Sequence, residues 1–180
     1  MFTMNQFVNK EKQRPITDSE IRELVTRPIK IRNVSGLTDK DSPATLCPKV
    51  GDGCVLFWQT SKGEMGHFDL LLRHHDHYEF FDSYGMDPLQ VANKTTHDSG
   101  KKCMDMFKGH NVKIGRHKFQ RAKGDINTCG RFCAFRFNCH AFTYEEFKKL
   151  MHFRGVAPDD LITLLTISVD FEHINKKGKK

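Results

Sequence analysis

Two strongly apolar runs, Phe68-Asp69-Leu70-Leu71-Leu72-Arg73 and Tyr78-Glu79-Phe80-Phe81-Asp82, are separated by only His74-His75-Asp76-His77. So short a polar interval between two strand-like runs leaves little but an antiparallel hairpin. With the turn centred on His74 and His75, Phe68 faces Phe81, Leu71 faces Tyr78, and His67 faces Asp82. Directly opposed Cβ atoms in such a ladder stand about 4.5–5.5 Å apart. An imidazole and a carboxylate therefore meet at the open end of the hairpin. The carboxylate would orient the ring and stabilise its protonated form, leaving the other ring nitrogen to face a third group. The ordinary alternative is a surface His–Asp pair worth little, and a one-residue change of register would abolish the pairing.

A second stretch supplies the third group. Residues 119–127 are largely polar, with Gly124 and Asn127, and run into Thr128-Cys129-Gly130-Arg131-Phe132-Cys133. From there Cys129, Cys133, Phe137 and Ala141 recur every fourth residue, with Phe132 beside them, so they share a helix face from Cys129 to about His140. Asn127 or Thr128 fits the N-cap. A cysteine in the first turn of a helix meets unpaired N–H groups and the positive end of the dipole, which favour a thiolate. The same N–H groups can receive an oxyanion. Taken alone, a free cysteine is more often a small buried hydrophobe; the histidine and carboxylate upstream are what favour a nucleophile.

Elsewhere the pattern is α+β. Thr17-Asp18-Ser19-Glu20 forms a capping box before a short helix that Pro28 stops. Residues 29–34 alternate as a strand does, 35–53 read as a loop, and Cys54 to Trp58 is a continuous apolar run that suits a central strand. Helical stretches follow Leu89 and Cys103, and Val112 and Ile114 suggest a short strand. Thr143-Tyr144-Glu145-Glu146 is another capping box, and Pro158 opens a last helix. Residues 1–16 and 174–180 read as flexible ends of a single domain covering 1–180.

Composition sets the class. With 38% hydrophobic and 28% charged residues the chain is an ordinary globular one. It has no secretory opening and no apolar run of membrane-spanning length. Its six cysteines are therefore expected to be reduced, in an intracellular setting. A net charge of +7 draws polyanions, DNA first; Lys101, Lys102, Lys108, Lys113, Arg116 and the tail Lys176, Lys177, Lys179 and Lys180 are the candidates, against an incidental basic surface. His74, His75 and His77 read as solvated turn residues, and no CxxC pair suggests zinc, so no metal or cofactor is expected.

Gly66-His67-Phe68, Phe81-Asp82-Ser83-Tyr84-Gly85, Gln120, and Thr128 to Cys133 together resemble the adenovirus protease (adenain) family. That family includes the SUMO-deconjugating proteases and maturation proteases of other DNA viruses, virophages among them. The order His, acid, Gln, Cys is similar, and the shortness of the chain favours the viral branch. The resemblance implies an α+β fold with a small mixed sheet flanked by helices and a buried nucleophile helix. It implies Cys129 as nucleophile, His67 as general base, Asp82 as its orienting acid and Gln120 as an oxyanion amide donor. Two departures stand out: Phe68 replaces the Trp usual after the histidine, and nine positions separate Gln120 from Cys129. Asn127 is an alternative amide donor.

The resemblance further implies a monomeric thiol endopeptidase cutting capsid or other virion precursors, with small residues, Gly above all, around the scissile bond. It would act in the virion and the host-cell interior. Two alternatives stay open: an isopeptidase acting on SUMO or ubiquitin-like tails, and a non-enzymatic basic nucleic-acid-binding domain.

Overall fold

A computed structural model describes residues 3–60, 66–95, 99–122 and 125–168. The Lys-rich tail from Lys176 to Lys180 lies outside the described residues.

Five strands form one mixed sheet, β1 (Lys30–Asn33), β2 (Gly53–Gln59), β3 (Gly66–Arg73), β4 (Tyr78–Phe81) and β5 (Val112–Ile114), lying side by side in chain order. The outer pairs β1–β2 and β4–β5 are parallel, and the inner pairs β2–β3 and β3–β4 antiparallel. β2 is an interior strand, as its apolar run suggested, and β3 occupies the middle of the sheet.

Both faces of the sheet are covered, which is why β2, β3 and β4 read as nearly unbroken apolar runs. Val55, Phe68, Leu70, Leu72 and Phe81 meet helices α2 (Asp18–Leu24), α6 (Cys129–Asn138), α7 (Tyr144–Met151) and α8 (Pro158–Leu165) through Ile21, Phe132, Phe137, Phe147 and Ile162. Cys54, Leu56, Trp58, Leu71 and Phe80 meet α3 (Pro43–Leu46), α4 (Pro88–Thr95) and α5 (Ser99–Met106) through Leu46, Val91 and Cys103. The short β5 and the Phe119 segment close the far edge. The expected α+β sheet flanked by helices is observed.

Several features differ from the sequence reading or refine it. The hairpin turn is centred one residue later, with His74 N–H donating to His77 O at 2.9 Å. Leu70 therefore faces Phe81 and Leu71 faces Phe80. Each partner is displaced by two residues, and a two-residue slide keeps every side chain on its own face. Second, the stretch read as irregular before Pro15 contains helix α1 (Met4–Glu11), opened by a capping box in which Thr3 and Gln6 exchange hydrogen bonds. Third, Thr128 occupies the N-cap position of α6 without a side-chain cap bond; its hydroxyl donates instead to Asp159 Oδ1 at 2.7 Å.

α6 is buried almost all round, two arginines included. Arg136 forks onto Glu79 of β4, Nε to Oε1 and Nη2 to Oε2, both at 2.8 Å. It also donates to the Cys139 and Phe142 carbonyls. Removing one member of a buried pair strands the other charge, which costs about 3–5 kcal/mol. Arg136→Met should lower unfolding free energy by about that amount, read by urea denaturation; a loss within error would show that the fork contributes nothing.

Candidate functional site

The site lies where β3 begins. His67 and Asp69 alternate onto one face of that strand, and Asp82, just past β4, lies across from Asp69. His67 Nε2 is 2.7 Å from Asp82 Oδ1. The shifted register makes this a diagonal pair rather than a directly opposed one, still within reach of a ring. Sequence reasoning therefore brought the right two residues together through the wrong register.

Asp82 is held from its own turn. Tyr84 N–H donates to Oδ1 at 3.1 Å and Met86 N–H to Oδ2 at 2.8 Å. The turn closes through Gly85, whose N–H reaches Asp82 O at 3.0 Å and whose φ is +72°. A Cβ there would sit 2.6 Å from the Arg116 carbonyl oxygen. Burial would raise the Asp82 pKa, but the His67 bond and charge and the two N–H donors hold it below the usual carboxylate range. Tyr84 stacks on the imidazole, ring centroids 5.3 Å apart.

Asp69 was not anticipated as a site residue. Its Oδ1 stands 3.0 Å from His67 Nε2, yet neither of its oxygens has a hydrogen-bond partner. The ring carries one hydrogen on Nε2, and its aim is toward Asp82. Burial and the adjacent Asp82 charge push Asp69 up to about 7, against the pull of His67. Burial alone would lower the His67 pKa. The charge of Asp69, that of a Cys129 thiolate, and the contacts with both carboxylates outweigh it and hold the ring's pKa well above its ordinary range. The sequence did contain a signal: an acidic residue inside an apolar run, two positions after His67, must share its face.

His67, Asp69 and Asp82 place their ligand atoms within 4.8 Å of one another, close enough for a cation to be considered. His67 and Asp82 are joined directly by a 2.7 Å hydrogen bond. Asp82 also already accepts from two backbone donors. The three groups are linked in the structure by that hydrogen bond and by the 3.0 Å ion-pair contact of His67 with Asp69.

Cys129 is the first residue of α6 and is half-buried. It is near enough to His67 for its charge to favour the imidazolium; none of the described hydrogen bonds joins its sulfur to the ring. Cys133, one turn on, is fully buried, with its thiol on the Phe68 carbonyl at 3.3 Å. Gly130 lets α6 approach the N-terminal arm, since a Cβ there would stand 2.9 Å from Ile16 Cγ1. A cleft of about 580 Å³ opens beside Cys129, lined by Ile16, Phe57, Gly66, Phe68 and Asn127 among others.

Both amide candidates are tied down. Gln120 is buried; its Oε1 accepts from Ser83 Oγ at 2.8 Å and its Nε2 donates to Ile126 O at 2.9 Å. Asn127 Nδ2 donates to Gln13 O at 2.6 Å, and its backbone N–H to Lys12 O at 2.8 Å. Each amide nitrogen keeps a second hydrogen. Of the basic candidates, Lys108 pairs with Asp105, Lys113 with Asp76 and Arg116 with Asp87, while Lys101 and Lys102 are exposed on α5.

Fold and site thus define a three-layer α+β protein with a carboxylate-held histidine near a helix-start cysteine. The chain is 31% identical over 128 residues to "Uncharacterized protein V9" of the Sputnik virophage, a match spanning 63% of this chain and 73% of that protein. It belongs to the family of that virophage protein. No protein-family model matches.

Gly85→Ala should destabilise the protein by about 1–3 kcal/mol, because a positive φ is costly for alanine and the new methyl meets backbone. Thermal unfolding reads this; an unchanged melting temperature would mean that the Asp82 turn adapts freely.

Proposed function

We propose that this protein is a thiol endopeptidase of the viral maturation type, with Cys129 as nucleophile and His67 as its base. The observation that carries the reading is the buried 2.7 Å bond from His67 Nε2 to Asp82. It commits one ring nitrogen to a carboxylate and leaves Nδ1 to take the proton from the Cys129 sulfur. A cysteine at a helix start beside a base is the combination that nucleophilic catalysis needs.

In the proposed reaction the Cys129 proton already rests on His67, and Sγ attacks a peptide carbonyl lying in the cleft. Asp82 orients the ring and supports its positive charge. The backbone N–H of Cys129 and an amide hydrogen of Gln120 or Asn127 receive the oxyanion. The imidazolium then protonates the leaving amine, and a water activated by the same ring releases the acyl group. Kinship with a virophage protein favours virion precursors as substrates over host SUMO or ubiquitin-like conjugates. DNA bound by the basic surface would hold enzyme and packaged substrate together, and such binding must weaken steeply with salt.

The test is to incubate the protein with virion precursor proteins and sequence the new termini. Cys129→Ala and His67→Ala should each abolish cleavage while leaving the circular dichroism spectrum intact, because the two residues act as a unit. Asp82→Asn should be milder. Gln120→Ala should lower kcat roughly 10²–10³-fold if its amide meets the oxyanion; a loss confined to Asn127→Ala would move that role to Asn127. Full cleavage by Cys129→Ala would end the peptidase reading.

A further inference from the structure

Two buried carboxyl groups stand behind one imidazole, and the proposed chemistry uses only one of them. Asp82 accepts from His67 and two backbone donors. Asp69 is fully buried, its Oδ1 in ion-pair contact with the same ring nitrogen at 3.0 Å, and no geometrically formed hydrogen bond satisfies either of its oxygens. A strand in the middle of a sheet gains nothing in packing from such a group. Leaving a buried carboxyl unpaired costs free energy that any apolar residue of similar size would spare. Two carboxylates this close cannot both ionise cheaply, so they share a proton until the pH is high enough to remove it.

We propose that Asp69 is a second positioning residue of the His67 site, a carboxyl group that shares one proton with Asp82 and sets, through its own ionisation, the charge that His67 can hold. This inference rests on the reading of His67 as the base. With Asp69 protonated, Asp82 alone faces the imidazolium. Once Asp69 loses its proton to solvent, two negative charges face the ring, and the imidazolium persists to higher pH.

The surroundings admit few other causes of titration. On β3 the group facing Asp69 is His67, and beyond β4 it is Asp82. From α5 comes the Cys103 thiol, and from α6 the Cys133 thiol, both pushed well above their ordinary range by burial. Cys129 and Tyr84 act on the ring itself. Trp58 on β2, opposite His67, adds an indole N–H that is also buried without a partner. His67 is the cation among these.

The experiment follows the ring directly. Nitrogen-15 spectra of the imidazoles are recorded from pH 5 to 10, with the His67 signals assigned by their loss in His67→Gln. In the wild type His67 should remain imidazolium through neutrality and show a small step near pH 7, where Asp69 ionises. In Asp69→Asn that step should vanish. Loss of the ring proton should also move to lower pH by about one to three units, the effect of losing an adjacent opposite charge. An unchanged His67 titration in Asp69→Asn would overturn the proposal. If that variant does not fold, the wild-type curve decides: a step near neutrality supports the proposal and a featureless curve rejects it. The readout needs no substrate. Absence of cleavage would therefore fail the peptidase reading alone, while a normal peptidase with an unchanged titration would fail this inference alone.

Discussion

The buried fork between Arg136 and Glu79 fixes the relation on which the site depends. One partner is on α6, whose first residue is Cys129; the other is on β4, which ends beside Asp82. Two parallel N–H···O bonds of equal length set orientation as well as distance. Further bonds carry the same alignment toward the helix start. The Cys133 thiol sits on the Phe68 carbonyl of β3, and Thr128 is anchored to Asp159 at the head of α8. The helix that begins at Cys129 is thereby held against the strand that carries His67 and the strand that leads to Asp82.

The charge pattern at the end of β3 follows from the same burial. A lone imidazolium would be expensive there, and so would a lone carboxylate. His67 with Asp82 offsets both costs, and the backbone donors of the Gly85 turn fix which carboxylate stays ionised. Asp69 is the group left without such help, and its carboxyl is consequently pushed up toward neutrality. The cleft beside Cys129 is largely apolar.

Much of this was legible in the sequence because it depends on period and capping. The capping boxes at Thr17 and Thr143, the alternation in β1, the apolar runs of β2 to β4 and the four-residue spacing after Cys129 each map onto an observed element. What escaped was of two kinds. Register depends on turn geometry, and the loop of β3–β4 is centred one residue beyond the composition-based choice; face parity survived, so His67 and Asp82 still met. Long-range polar partners leave no local trace: nothing near Gln120 announces Ser83, and nothing near Thr128 announces Asp159. Asp69 was legible in principle, as an acid within an apolar run, but only the covered sheet shows that its face is buried.

The central claim is that His67 acts on Cys129, and the most direct measurement is the rate at which iodoacetamide labels Cys129 near neutral pH, resolved by peptide mass spectrometry. Wild-type Cys129 should be labelled much faster than the half-buried Cys139 of the same chain, and His67→Gln should slow Cys129 at least about tenfold while leaving Cys139 unchanged. Equal labelling of Cys129 in the two proteins would contradict the account.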